Sequence, residues 1–223
     1  MRLAKTALDV GLYTNQLDAT LAFWQEQAQV PFAELLKVGG GLHQYRHQIG
    51  ESILKVNHPR EPVPVLNPSG LAQLEIFTDS VDETLELLDP DQNEVLLSPP
   101  PQGETLNLCL HLRVNDLSQA AKFYGDILAL PGSLESGFYV GTSKLLLSQG
   151  KIAPVEQKAV GYRYMTIQVF DVVNTHQSIV NSGGLEGMAP VKLGDVAYIS
   201  FVRDPDGNWI EISQRKSITG SLN

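Results

Sequence analysis

A chain of 223 residues that is 43% hydrophobic and 18% charged has the composition of an ordinary globular protein with room for one or two cores. Its formal net charge of −9 argues against nucleic acid and anionic membrane surfaces as partners, because both attract a concentrated basic face. No apolar run reaches membrane-spanning length, Asp9 interrupts any signal-peptide-like stretch, and the single Cys109 cannot form an intramolecular disulfide. These features favour a cytoplasmic protein.

The first quarter of the chain predicts a strand, a helix and further strands. Leu8, Val10 and Leu12 alternate with polar or small residues, which is typical of a half-buried strand, and a helix is predicted to run through Trp24. Three glycines at 39–41 indicate a turn before the next strands. Four prolines between positions 58 and 68 then indicate an extended linker.

The second quarter is shorter. It predicts a strand around Leu74 and Ile76, then a helix that carries Val81, Leu85 and Leu88 at helical spacing, and a closing strand after the turn at residues 89–91. Two middle strands are missing relative to the last quarter of the chain. We expect the truncation to leave an open sheet edge, which the linker or a second copy of the chain would cover.

The second half repeats the same order in a fuller form. It predicts a strand at 108–114, a helix at 117–128, strands through Leu147, a strand at 164–169, a helix ending at residues 183–184, two more strands, and a closing strand at 209–213. Matched segments support a repeat: 15–24 with 115–124, 50–57 with 141–148, and 89–98 with 204–213.

The repeat predicts an α+β fold of four βαβββ units, the second truncated, which form curved mixed sheets around a cavity with the helices outside. The predicted domains are residues 1–101, an N-terminal pair of units, and residues 102–216, a better-formed C-terminal pair, followed by a tail at 217–223. Each half is expected to contribute its own curved sheet.

The closing segment FVRDPDGNWIEI at 201–212 and the strand-to-helix junction NDLSQAAKFY at 115–124 resemble the vicinal oxygen chelate superfamily. This superfamily includes glyoxalase I, the bleomycin-resistance proteins and the extradiol dioxygenases. The resemblance extends from Met1 to about residue 215 and implies the fold. It leaves the activity open, because the fold hosts isomerases, oxygenases and pure binding proteins.

The resemblance also implies where a divalent metal would bind. In the catalytic members, ligands come from the start of each unit's first strand and from a Glu on the last strand, where Glu211 matches. The first-strand positions of the four units hold Asp9, Gln73, Cys109 and Tyr164 instead of the usual His. We therefore expect no tightly bound metal, with Glu211 as the only matched metal ligand if a divalent metal binds.

Strand alternation supplies further candidates. Glu211 and His111 are the catalytic candidates; His111 is a general base, a relocated metal ligand, or a hydrogen-bonded wall residue. Two interpretations of the aromatic candidates Tyr162, Tyr164 and Trp209 remain. They form a wall that suits a flat or apolar ligand, or they pack in the core where the two halves meet. The residues expected to line the ligand cavity are Cys109, Arg113, Tyr162, Tyr164, Gln168 and Trp209.

The favoured hypothesis is a protein that binds a small, partly apolar or aromatic molecule and has largely lost its metal ligands. The alternative is a divergent metal-dependent lyase or ring-cleaving dioxygenase that uses Glu211 with substitute ligands. An interaction protein is a third class. The expected partners are a small-molecule ligand and a second copy in a homodimer. The residues leave open whether unit one or unit three pairs with unit four.

Overall fold

The structure, a computed structural model, describes residues 1–222. Within this range the strands are β1 (Asp9–Tyr13), β2 (Phe32–Gly39), β3 (Leu42–Ile49), β4 (Ser52–Pro59), β5 (Leu71–Phe77), β6 (Leu85–Leu88), β7 (Glu94–Ser98), β8 (Leu108–Val114), β9 (Gly132–Ser133), β10 (Gly137–Val140), β11 (Ser143–Gln149), β12 (Gly161–Gln168), β13 (Leu185–Leu193), β14 (Ala197–Arg203) and β15 (Trp209–Arg215). The helices are α1 (Leu17–Ala22), α2 (Leu117–Lys122), α3 (Val172–Asn181) and α4 (Lys216–Thr219). The predicted tail at 217–223 begins within α4, and its residue 223 lies outside the described range.

The strands form two curled mixed sheets. Sheet one has the order β13-β14-β15-β12-β1-β4-β3-β2, and sheet two has the order β6-β7-β5-β8-β11-β10-β9. Unit one therefore pairs with unit four, and unit two with unit three. The α+β fold of curved mixed sheets is confirmed, but the expectation that each half builds its own sheet is wrong. Units two and three are consecutive and pair with each other through β5 and β8, which leaves units one and four as partners through β1 and β12.

The matched segments at 15–24 and 115–124 fold alike. Each short helix, α1 or α2, continues into a π-helical turn, at Phe23–Gln27 and Phe123–Ile127 respectively. The aromatic pair that opens each turn has the same edge-on geometry, with ring centroids 5.2 Å and 5.1 Å apart. The sequence repeat is thus a structural repeat, and both turns pack into the main hydrophobic core.

Unit two is truncated, but one of the two middle strands expected to be missing is present, and the predicted helix is absent. Residues 71–98 form three strands, and Leu85–Leu88 is the edge strand β6, which pairs antiparallel with β7. A helix this short gains little from its own hydrogen bonds, whereas the ladder with β7 satisfies the same backbone groups. The linker was expected to cover the open sheet edge, but two of its carbonyls accept hydrogen bonds from other parts of the chain. The Val63 carbonyl accepts from Asn15 Nδ2 at 2.8 Å, and the Pro64 carbonyl accepts from the Val160 N–H at 3.0 Å.

A carboxylate fixes the turn before the final strand. Asp204 is fully buried and accepts hydrogen bonds from the backbone N–H of Asn208 at 2.8 Å and from the Asn208 side chain at 2.9 Å. It also accepts from the Tyr124 hydroxyl at 2.9 Å, which ties unit four to the π-helical turn of unit three. Asp89 and Asn93 repeat the turn in unit two. Because β15 begins directly after this turn, Asp204 positions Glu211.

A buried histidine predicts acid sensitivity of the fold. His47 on β3 lies fully buried, edge-on to Phe32, and burial lowers the pKa of its imidazole from 6.5 to about 4. Between these values the unfolded chain binds the proton more readily, so the unfolding free energy should fall as the pH drops from about 6.5 to about 4. The loss should be about 3 kcal/mol, measured by urea denaturation across that range. His47→Phe should lack this component. An unchanged pH profile in the variant would contradict the assignment.

Candidate functional site

The concave face of sheet one encloses a cavity of about 550 Å³. Strands from units one and four both contribute to its lining, which combines an apolar part with a buried polar part. The apolar part includes Leu36, Val38, Met188, Leu193, Ile199 and Phe201. The polar part includes Gln44, Lys55, Asn57, Tyr164, Glu211 and Ser213.

The polar part is organised around a buried ion pair. Lys55 Nζ lies 2.7 Å from Glu211 Oε2 and donates a second hydrogen bond to Thr166 Oγ1, also at 2.7 Å. The Thr166 hydroxyl in turn donates to Glu211 Oε2 at 2.7 Å. Within residues 1–222 these hydrogen bonds to the carboxylate all use Oε2, so Oε1 is left for a ligand. The ammonium has three N–H donors, of which one is left.

Lys55 is the counterpart of Glu211 in the repeat. In unit four, Glu211 lies beside Thr166 in the parallel ladder of β15 and β12. In unit one, Lys55 lies beside Gly11 in the parallel ladder of β4 and β1. Gly11 follows Asp9 by two residues, as Thr166 follows Tyr164. The sequence prediction missed Lys55 because it considered closing-strand ligands only in units two to four. The match of β4 to β15 in the repeat is the signal that identifies the lysine.

Tyr164 packs directly against this pair. Its ring centroid lies 5.5 Å from Lys55 Nζ, and its hydroxyl accepts a hydrogen bond from Asn57 Nδ2 at 3.0 Å. Burial raises the pKa of the Tyr164 phenol well above 10, so the side chain is neutral. Gly11 makes room for the ring, because a β-carbon there would lie 2.1 Å from a ring atom of Tyr164.

The four positions of sheet one that the resemblance assigns to metal ligands do not suit a divalent cation. Asp9 pairs with Lys5 at 2.5 Å and accepts the backbone N–H of Ile53 at 2.9 Å. Tyr164 is a neutral phenol. The ammonium of Lys55 has no lone pair to donate and would repel a dication beside Glu211. At these positions the positive charge is therefore the ammonium of Lys55.

The lining of the cavity carries a surplus of positive charge. Its basic residues are Lys37, Lys55, Lys158 and Arg215, whereas Glu211 is its one acidic residue among residues 1–222. This surplus stands out in a chain with a formal net charge of −9. Such a cavity attracts an anionic group on a ligand.

Cys109, His111 and Arg113 lie in the other sheet. All three are on β8, which belongs to unit three and pairs with unit two, so they do not share a cavity with Glu211. His111 Nε2 lies 3.0 Å from Glu75 Oε2, and this hydrogen bond lowers the pKa of the Glu75 carboxyl. Burial raises the pKa of the Cys109 thiol to about 12, and Arg113 is exposed. Glu75 was missed because the strand partner of β8 was unknown.

Tyr162 does not line the cavity. Its hydroxyl donates to the Glu94 carbonyl of sheet two at 3.4 Å, and its ring belongs to the main core. A register shift between Gly11 and Leu12 inserts one extra residue of β12 between Tyr162 and Tyr164. This bulge breaks the alternation on which the expectation of a shared face rested.

Gln168 and Trp209 lie beside the cavity without lining it. Gln168 Nε2 lies 3.4 Å from Asp9 Oδ2. The indole of Trp209 donates to the Val155 carbonyl at 2.8 Å and packs edge-on against Phe201 at 5.9 Å. Of the predicted cavity residues, the structure therefore places Tyr164 in the lining, together with Glu211.

Comparisons with known proteins agree with this architecture. Residues 105–212 match a family model described as the Glyoxalase/Bleomycin resistance protein/Dioxygenase superfamily. A probable lactoylglutathione lyase from Vibrio cholerae is 32% identical in a 127-residue alignment that covers 50% of this chain and 91% of the relative. A lactoylglutathione lyase from Haemophilus influenzae is also 32% identical in a 127-residue alignment, which covers 50% of this chain and 93% of the relative.

Solved structures show the same fold across the chain. Glyoxalase I from Zea mays has a TM-score of 0.73 at 15% identity, covering 96% of this chain and 92% of that one. A putative dioxygenase from Bacillus subtilis has a TM-score of 0.68 at 10% identity, covering 96% and 86%. Among residues 1–222, no helix has the length and hydrophobicity needed to cross a membrane.

The buried ion pair predicts a strongly non-additive mutant cycle. Lys55→Met should lower the unfolding free energy by about 3–5 kcal/mol, because the Glu211 carboxylate stays buried without its partner. The double variant Lys55→Met/Glu211→Leu should recover most of this loss. Urea denaturation at pH 7 measures both. The control is Lys144→Met, since Lys144 pairs with Glu104 at 3.8 Å near the surface and should cost under about 1 kcal/mol. A double variant that is no more stable than Lys55→Met would contradict the coupling.

Proposed function

Because this chain belongs to the Glyoxalase/Bleomycin resistance protein/Dioxygenase superfamily, we propose that it binds a small, partly apolar anion in the cavity of sheet one without a divalent metal there. The observation that carries the proposal is the ammonium of Lys55, 2.7 Å from Glu211. It provides, from the chain itself, the positive charge that the resemblance would assign to a metal.

The size and lining of the cavity support a small ligand with a flat or apolar part. About 550 Å³ lies within the range of small-molecule sites, which is roughly 300–1,000 Å³. Tyr13, Tyr164 and Phe201 form an aromatic cluster, with Tyr164 6.4 Å from Tyr13 and 5.7 Å from Phe201 between ring centroids. Aromatic faces and edges of this kind pack well against a flat ring.

The polar part supports a ligand that carries an oxygen-rich group. The remaining N–H of Lys55 offers a donor, and Oε1 of Glu211 offers an acceptor beside it. A carboxylate next to a hydroxyl matches this pair, because one group accepts from the ammonium while the other donates to Glu211. The cations Lys37 and Lys158 at the same cavity favour the anionic form.

A divergent lyase is the alternative, and the 32% identity to proteins named as lactoylglutathione lyases favours it. Lys55 weighs against a metal-dependent form of that activity in sheet one. Sequence identity is averaged over the whole aligned region, whereas catalytic activity depends on the few side chains around Glu211. We therefore place binding first and lyase activity second.

Ligand-induced stabilisation tests the proposal. Salicylate and benzoate should raise the melting temperature of chelator-treated protein, and uncharged benzyl alcohol should raise it less. Stabilisation follows RT ln(1 + [L]/Kd), about 2.7 kcal/mol at a hundredfold excess over Kd. Lys55→Met/Glu211→Leu should lose the response to salicylate.

Lys192→Gln is the matched control, since this lysine lies on β13 outside the cavity lining and should keep the response. If the acids stabilise the double variant as well as the wild type, the ligand is bound elsewhere. If chelator-treated protein responds to none of the acids and turns over lactoylglutathione once a metal is added, the lyase alternative replaces the proposal.

A further inference from the structure

We propose that Glu75, Cys109 and His111 on sheet two form a binding site for a thiophilic divalent cation, with Zn²⁺ the best match. Their candidate donor atoms, one from each side chain, all lie within 4.8 Å of one another. Among residues 1–222 this is the one group of at least three His, Cys, Asp or Glu side chains that meets this distance. The site is separate from the cavity of sheet one and independent of the function proposed there.

Sheet geometry brings the three donors together. Cys109 and His111 are two residues apart on β8, so their side chains leave the same face of the sheet. Glu75 lies directly opposite Cys109 in the antiparallel ladder of β5 and β8. Opposite residues in such a ladder have β-carbons about 4.5–5.5 Å apart, which suits a shared ligand. The grouping therefore rests on backbone pairing more than on side-chain rotamers.

The donor set selects the metal. A thiolate, an imidazole and a carboxylate together are typical of zinc sites, whereas Mg²⁺ and Ca²⁺ prefer oxygen ligands alone. Cys109 is the buried member of the group, whereas the side chains of Glu75 and His111 are 17% and 28% exposed. A cation can thus enter from the exposed side and keep a fourth position for water or a ligand. Binding replaces the thiol proton of Cys109, which is released to solvent.

A neighbouring hydroxyl orients the carboxylate. Ser98 Oγ donates to Glu75 Oε1 at 2.7 Å, which leaves Oε2 to face His111. Such outer contacts commonly tune metal affinity. Lys144 pairs with Cys109 in the ladder of β11 and β8, but its ammonium lies 3.8 Å from Glu104 and 5.2 Å from the Tyr139 ring centroid. Its positive charge is therefore partly compensated.

The proposed site differs from the metal site that the resemblance implies, in which a Glu on a closing strand completes the set of ligands. In sheet two the residue beside His111 on β11 is Leu146, and the residue beside Glu75 on β7 is Leu96. Neither leucine can bind a metal. The proposed site instead uses two positions of β8 and one of β5, all on first strands of their units.

Metal titration of the chelator-stripped full chain tests the site. We expect one Zn²⁺ per chain by competition with a chromophoric chelator, and a thiolate-to-metal charge-transfer absorption with Co²⁺. Cys109→Ala should abolish the absorption and the stoichiometric binding. His111→Gln changes a partly exposed side chain and should weaken binding without unfolding the protein. Ser98→Ala should weaken Zn²⁺ binding by about 10–100-fold, because Glu75 loses its orienting hydrogen bond.

Glu186→Gln is the matched control for Glu75→Gln. Glu186 also lies beside a histidine, with His176 Nε2 at 3.1 Å, but among the described residues this pair has no third potential ligand within the same distance. The control should bind Zn²⁺ like the wild type, whereas Glu75→Gln should bind it more weakly. Absence of the Co²⁺ charge-transfer absorption, or unchanged Zn²⁺ binding in Cys109→Ala, would overturn the proposal.

Discussion

The ion pair of Lys55 and Glu211 is the constraint around which sheet one is built. Both side chains are almost fully buried, so either charge left without the other inside the fold would strongly destabilise it. Lys55 is on β4 of unit one and Glu211 on β15 of unit four, with β1 and β12 between them. The pair therefore fixes the lateral register of four strands, and it gives the cavity a cation and an anion side by side.

Local sequence patterns predicted most individual elements. The strand at 108–114 has the predicted bounds, and the closing strand after Asp204 begins where the turn chemistry places it. These features depend on neighbours within a few residues, which alternation and turn residues report directly. Which unit pairs with which could not be read this way, because the first strand of every unit has similar apolar residues. The helix predicted from Val81, Leu85 and Leu88 was wrong for a related reason: helical spacing at three positions cannot outweigh a strand partner.

Site residues were predicted correctly only where the neighbouring sequence determines which face of the sheet a side chain lies on. Glu211 lines the cavity because the alternation of β15 is regular. Tyr162 does not, because one extra residue in β12 shifts its face, and a bulge of this kind has no clear signature in the neighbouring sequence. Glu75 could be assigned only after the sheets were known, and Lys55 only once its strand was matched to that of Glu211 in the repeat. Each derives its role from a residue on another strand, His111 or Glu211, and not from its own segment.

The crossed pairing of units sets an order for biosynthesis. Lys55 and Glu211 are 156 positions apart, so unit one leaves the ribosome long before the strands that complete its sheet. Units two and three are consecutive and can assemble as soon as β11 has emerged. Until β12 arrives, β1 has an unpaired edge and Lys55 has no buried counter-charge. The nascent N-terminal unit is thus the part of the chain most exposed to chaperone binding or aggregation, until β12 covers the edge of β1 and β15 supplies Glu211.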